Sequence, residues 1–180
     1  SKPRGQCLRI DWIRSFSHAD AFPVCMGIGA TANPDEKRTW QDFPTYGEAE
    51  AHGALLIRQD VRLLENIVKI GVDGTLRLIE EGILDTDKLD HLLCHYSSHH
   101  FKSLIYDMLE MAGAKIPEEK WYSNLYTRGN TGSASILIML DEFLASNIAK
   151  VGDTIVCMVP ESGRFNTAYI HLTMVDAENE

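Results

Sequence analysis

The sequence predicts an α/β domain, a mixed sheet of about five strands covered by helices on both faces. Short β-prone apolar runs alternate along the chain with stretches whose apolar residues recur every three or four positions. Helices that lie between strands imply a sheet buried on both sides. Of the 180 residues, 44% are hydrophobic and 24% charged. That is an ordinary balance for a single globular domain over 1–180, able to bury a core without disulfides or metals.

The elements read as follows. Residues 6–16 are a strand on the apolar positions Cys7, Leu8, Ile10, Trp12 and Ile13, and 24–31 are a second, from the buried-type run Val24-Cys25-Met26-Gly27-Ile28-Gly29. Residues 32–47, with Pro34, Pro44 and Gly47 among polar neighbours, read as a long loop. From Glu48 to Ile70 the positions Leu56, Leu63, Leu64, Ile67 and Val68 mark an amphipathic helix that Gly71–Gly74 interrupts. A second helix over Thr75–Glu81 stops at Gly82.

Leu89–Cys94 reads as a strand, followed by a helix capped by Ser97 or Ser98 with the stripe Phe101, Leu104, Ile105, Met108 and Leu109, closed by Gly113. Trp121–Tyr126 is a short strand and 127–130 a turn. The small residues Thr131 to Ser135 then open a helix that runs through Leu144. Two strands, Thr154–Val159 and Thr167–Val175, close the chain around Glu161-Ser162-Gly163-Arg164-Phe165. There is no repeat or low-complexity segment.

Composition narrows the function. A net charge of −9 argues against a nucleic-acid or membrane-surface partner, which needs excess Lys and Arg. Cys7, Cys25, Cys94 and Cys157 form no CxxC pair, so they read as reduced thiols and the protein as cytoplasmic. No segment carries the long apolar run of a membrane span or a secretion signal. Ser1 reads either as the residue left after methionine removal or as a proteolytic end. Gly27-Ile28-Gly29-Ala30 lacks the third glycine and the helix start of a dinucleotide loop.

His95 stands where an apolar strand meets a helix cap, the edge at which open α/β sheets bind ligands. A neutral imidazole there can donate a hydrogen bond or move a proton; on the local residues alone a structural role is the plainer reading. Asn130 sits at the mouth of a helix that begins with small residues, where close approach and a helix N-terminus favour negative charge; the plainer reading makes it an N-cap. His91, His95 and His99 would share one face if their segment were a helix, a zinc-like spacing. The strand reading of Leu92-Leu93-Cys94 scatters them, and no metal is expected.

These segments together resemble a family. Leu92-Leu93-Cys94-His95-Tyr96-Ser97-Ser98 is similar to the His-Gln-Ala-Asn motif of β-ketoacyl-ACP synthase III, and Arg128-Gly129-Asn130-Thr131-Gly132-Ser133-Ala134-Ser135 to its Gly-Asn-Thr-Ser-Ala-Ala-Ser motif. Gly152-Asp153-Thr154 and the Glu161–Phe165 turn look like its closing hairpin, so the likeness spans about 48–176. The resemblance implies one half, the C-terminal one, of a thiolase-like fold. It makes His95 and Asn130 the catalytic residues of a condensation between an acyl thioester and a malonyl-type thioester, in fatty-acid or polyketide synthesis.

The family's nucleophilic cysteine would lie in an absent N-terminal half or a second subunit, and none of the four cysteines here replaces it. Substrate contacts fall to Ser98, Arg128, Gly163 and Phe165. Ser98 stands for the motif's asparagine and Arg128 for its common histidine, which implies a variant substrate. No cofactor is expected beyond acyl-CoA or acyl-ACP thioesters as substrates, and the expected partners are an acyl carrier protein and a second copy in a homodimer. The competing reading is a non-catalytic thiolase-fold subunit kept for dimerisation or carrier-protein docking.

Overall fold

The computed structural model of the chain describes residues 5–29 and 36–178. In chain order its elements are β1 (Gln6–Ser17), β2 (Met26–Gly27), α1 (Tyr46–Ala51), β3 (Arg58–Gln59), α2 (Leu64–Glu80), β4 (His91–Cys94), α3 (His99–Met111), β5 (Trp121–Tyr122), α4 (Leu125–Arg128), α5 (Ser135–Ala145), β6 (Thr154–Glu161) and β7 (Asn166–Asp176). The chain divides into two compact units. One holds the residues up to Phe16, Asn66–Pro160 and those from Thr167 onward; the other holds Ser17–Glu65 and Glu161–Asn166.

The first unit is built on a five-stranded sheet in the order β1-β7-β6-β4-β5. Its centre is parallel: Leu92 of β4 lies opposite Trp121 of β5 on one side and Val156 of β6 on the other. Because strand side chains alternate in direction, the sequence of each strand supplies two buried faces. Leu93, Ile155, Cys157, Leu172 and Met174 pack against Ile136, Met139 and Phe143 of α5. On the opposite face Leu92, Val156, Met158 and Tyr169 meet Thr75 of α2 and Leu109 of α3. The expected sheet with helices on both faces is therefore present.

The glycines of α2 overturn the expected helix break. Gly71 and Gly74 sit inside one unbroken helix, although glycine in a helix interior costs about 1 kcal/mol relative to alanine. Packing makes the exception. A Cβ on Gly71 would stand 2.6 Å from the Met158 Cε, and one on Gly74 would stand 2.6 Å from the Tyr169 hydroxyl and 3.1 Å from Phe16. The helix thus lies close on the sheet, and the fully buried Tyr169 hydroxyl donates to the Gly71 carbonyl. Burial pushes that phenol's pKa upward.

The single helix expected over Glu48–Ile70 is also corrected. Residues 48–63 are divided among the end of α1, β3 and a 3₁₀ turn at Val61–Leu63, and the long helix starts only at Leu64. Asp60 makes the stop, its side chain accepting from the Arg62 amide at 3.1 Å. Trp121–Tyr126 likewise yields a strand only at Trp121–Tyr122, because Asn124 takes the amides of Thr127 and Arg128 and starts α4.

In the second unit, β2 and β3 form an antiparallel ribbon pairing Met26 with Gln59 and Gly27 with Arg58. The run from Val24 was expected to be a buried strand, yet Val24 and Ile28 are 51% and 67% exposed, and of its described residues just Cys25 and Gly29 are buried. Its backbone explains this: the Cys25 amide donates to Gly163 and its carbonyl accepts from Asp60. Ala30 and Thr31 at the end of that run, and 32–35 of the expected loop, lie outside the described residues. The rest of the loop carries a 3₁₀ turn at Trp40–Asp42 and the start of α1, capped by Thr45. No helix among the described residues is long and apolar enough to cross a membrane.

Candidate functional site

Parallel strands end on a common edge, and two of the sequence candidates follow from that. His95 comes directly after β4, where its backbone amide donates to the Met158 carbonyl of β6 at 2.9 Å and so extends the ladder by one residue. The ladder fixes the Cα at the sheet edge while the imidazole stays half-buried. Desolvation by that burial pulls its pKa below the usual 6.5, so the ring is neutral at neutral pH and carries one N–H donor.

Ser98 caps α3, its side chain accepting from the His100 amide at 3.3 Å. The next residue, His99, stacks on Tyr126 of α4 with ring centroids 3.6 Å apart and meets Tyr96 edge-on. These rings join the segment after β4 to the one after β5. The Tyr96 and His99 side chains reach this position with Tyr96 Oη and His99 Nε2 buried.

Asn130 follows α4 in a turn bounded by Gly129 and Gly132, both at positive φ, +69° and +63°. Its Oδ1 accepts from the Gly132 amide at 2.9 Å. The N-cap reading is corrected: α5 begins at Ser135 after Ala134, and Asn130 instead closes a local turn ahead of it, which leaves the Nδ2 hydrogens as the side chain's donors, on an exposed position. Thr131 anchors the far side of the turn: its amide and hydroxyl bond the buried Ser135 hydroxyl at 2.9 and 3.0 Å.

Arg128, read from the sequence as a substrate contact, is paired with Glu142 of α5. Glu142 also accepts from the Asn124 Nδ2 at 2.5 Å. The Arg128 and Asn124 hydrogen bonds hold its carboxyl below the usual range. Sequence spacing does not reveal this fork, since Glu142 lies fourteen residues beyond Arg128. The available signal was the carboxylate pair Asp141-Glu142 in a helix that is apolar elsewhere apart from Ser135.

Gly163 and Phe165 lie in the second unit. Glu161 closes the turn that holds them, accepting the Gly163 amide at 2.6 Å and the Arg164 amide at 3.3 Å. Phe165 adopts φ +54°, rare for a bulky residue. It is fully buried against Phe22 at 4.7 Å, and its carbonyl accepts from His18. His95, Ser98, Arg128 and Asn130 thus belong to the first unit, and Gly163 and Phe165 to the second, where they have their own packing.

The remaining titratable candidates have structural employment. His91 lies in β4 and bonds Asp153 at 3.1 Å, so His91, His95 and His99 do not share a helix face. Among the described residues no three His, Cys, Asp or Glu side chains converge to hold a metal. Burial pushes the thiols of Cys94 and Cys157 up to about 12, and Cys25 is raised by burial and by Asp60 and Glu161. Such thiols lack the depressed pKa of a nucleophile.

Comparison with known proteins bears on the same segments. Residues 79–168, half of the chain, match the family model for the C-terminal part of 3-oxoacyl-[acyl-carrier-protein (ACP)] synthase III. The β-ketoacyl-[acyl-carrier-protein] synthase III of Trichodesmium erythraeum is 40% identical over 95 residues, 51% of this chain and 27% of that protein. The Clostridium novyi protein of the same name is 29% identical over 85 residues, 47% of this chain and 25% of its own length.

Solved structures extend the likeness to nearly the whole chain. The Aquifex aeolicus 3-oxoacyl-[acyl-carrier-protein] synthase III has a TM-score of 0.65 at 18% identity, covering 96% of this chain and 46% of that one. A tetronic acid condensing enzyme has a TM-score of 0.64 at 15% identity, covering 92% and 47%. At these identities the structures show a shared thiolase-like fold. The chain spans about a quarter of the curated relatives' length and under half of the solved chains'.

Proposed function

Because the chain belongs to the 3-oxoacyl-[acyl-carrier-protein] synthase III C-terminal family, we propose that it is the His and Asn half of a condensing enzyme. The reaction joins an acyl thioester to a malonyl-type thioester in fatty-acid or polyketide synthesis. The acyl group rides on a cysteine supplied by an N-terminal half or a second subunit, since the buried thiols here are held in the protonated form.

What supports the reading is that the segments following β4 and β5 each carry a neutral donor: an imidazole kept neutral by desolvation, and an amide whose oxygen is already engaged by Gly132. Aimed at the thioester oxygen of the extender unit, His95 and Asn130 stabilise the negative charge that collects there as the enolate forms. They bind that charge more strongly than the uncharged ground state, which is what accelerates the step. The extender's carboxylate leaves as carbon dioxide, and the resulting carbanion attacks the acyl-enzyme carbonyl, breaking the C–S bond and releasing the cysteine as its thiolate.

Ser98 keeps a hydroxyl hydrogen to donate after capping α3, and Arg128 borders the Asn130 turn from its pair with Glu142. In this reading Gly163 and Phe165, both buried, support the Glu161-closed turn of the second unit in place of touching substrate directly. Substrates arrive as acyl-CoA or acyl-ACP thioesters with no further cofactor, and the assembly is a homodimer. An unpartnered apolar surface supports the idea that another half packs on this one: Leu137 of α5 is 67% exposed, with Ile148 and Val151 at 49% and 53% just beyond it.

The test is substitution in the complete assembly that brings the cysteine. His95→Ala and Asn130→Ala are each expected to lower the condensation rate on the order of a hundredfold. Undiminished condensation in both variants overturns the catalytic reading and leaves the chain a docking or dimerisation subunit.

A further inference from the structure

Asn130 occupies a turn that cannot hold its own position. Gly129 and Gly132, on either side, have positive φ and nothing within 4 Å of where a Cβ would stand, and glycine leaves the backbone more freedom than any other residue. The placement of the Asn130 amide must therefore come from what the turn is tied to. On the outgoing side the tie is Ser135, the first residue of α5, which bonds Thr131. On the incoming side α4 is only four residues long, too short for a helix to be stable alone.

The carboxylate of Glu142 reaches both ends of that short helix. One oxygen accepts from the Arg128 guanidinium at its last residue, the other from Asn124 Nδ2 at its N-cap. Glu142 and Ser135 both belong to α5, whose inner face packs through Ile136, Met139 and Phe143 into the sheet. The two ties of the turn thus share one rigid support.

We infer that Glu142 is a positioning residue for Asn130, clamping α4 to α5 through Asn124 and Arg128 so that the glycine-flanked turn presents its amide in one place. This rests on Asn130 acting as the amide donor proposed above. It gives Arg128 a positioning role in place of direct contact with the substrate, and it accounts for the Glu142 carboxylate in α5.

The experiment is hydrogen exchange resolved at single amides in the complete protein, with condensation kinetics alongside. Glu142→Ala and Arg128→Ala are expected to speed exchange at Thr131 and Gly132 by about tenfold, the signature of local opening, while Val156 in β6 keeps its rate. Arg128→Lys, which preserves the charge, is expected to return the turn toward its original rate. In both alanine variants kcat falls with KM held.

Unchanged exchange at Thr131 and Gly132 in both alanine variants overturns the inference, as does acceleration of equal size at Val156, which marks general loosening of the fold. Should Glu142→Ala fail to fold, Arg128→Ala decides from the outer partner, whose side chain is 56% exposed. The exchange readout separates this inference from the proposed function. If His95→Ala leaves condensation intact while the turn responds as expected, the clamp stands and the catalytic reading falls.

Discussion

Replacing Gly74 by alanine tests the close seating of α2 on the sheet, and Gly71 supplies the control. At Gly74 the new methyl would stand 2.6 Å from the Tyr169 hydroxyl and 3.1 Å from both Tyr169 Cε2 and Phe16 Cδ2. The Tyr169 ring has no slack: the residue is 1% exposed, its hydroxyl donates to the Gly71 carbonyl and also meets Thr75 at 3.3 Å. Overpacking of this kind costs about 1–3 kcal/mol, and displacing the buried hydroxyl forfeits a hydrogen bond worth roughly 1 kcal/mol. Alanine's better helix propensity returns about 1 kcal/mol. The net expectation for Gly74→Ala is a loss of about 1–3 kcal/mol.

At Gly71 the obstacle is the Met158 Cε alone, the end of a flexible side chain. A methyl there is expected to change stability by less than about 1 kcal/mol in either direction. Urea unfolding of the two variants beside the parent, with slopes compared so that midpoints can be read as free energies, measures the difference. A Gly74→Ala variant as stable as Gly71→Ala would refute the argument, because it would mean that Tyr169 moves aside freely and does not fix the helix.

Further outcomes are expected. Ser98→Ala removes the cap of α3 and costs about 1 kcal/mol, seen as a shifted urea midpoint; Ser98→Asp should restore it. Phe165→Ala in the second unit loses a fully buried ring for a cost of about 3–5 kcal/mol, and unchanged stability there would show that its packing on Phe22 is not required. The Asp11 carboxyl is raised by burial but lowered further by the hydrogen bonds of Thr173, Arg9 and His171, for a net fall below 3.8. Its contribution is therefore present above pH 3.8 and lost as pH drops through the folded value, so Asp11→Asn should flatten acid denaturation in that window. Condensation by the complete assembly should fall on acidification only below pH 6.5, because desolvation lowers the pKa of His95; a pH profile of kcat/KM with its acid limb above 6.5 contradicts that placement.

The sequence was most legible where one periodicity ran uninterrupted. α3, β6 and β7 fall within a few residues of expectation because their apolar positions answer to a single buried face or pair of faces, whereas β1 keeps its expected bounds to within a residue with Ile10 and Ile13 exposed. The errors arise where tertiary contacts decide. Gly71 and Gly74 read as a break because nothing local announces Met158 and Tyr169, 87 and 95 residues further on. The stretch before Leu64 has helical spacing, yet Leu56 and Val61 are 60% and 67% exposed, so that pattern faced no core. At the site, His95 and Asn130 stood out through motif and position. Glu142 did not, because a residue that acts by holding another carries no chemistry of its own to recognise.

The order of the sheet also governs when it can be completed. β1 is made first and lies at the sheet's edge beside β7, which is made last. Within this sheet β1 meets its neighbour β7 only after more than a hundred residues have followed it. The same delay applies to α2, whose seat includes Tyr169. Long-range pairing of this sort slows folding and leaves apolar strand exposed meanwhile. A chain cut short before β7 would keep the segments around His95 and Asn130 yet strand both its first β-element and its longest helix. The eleven residues of β7 are the fastener of the five-stranded sheet.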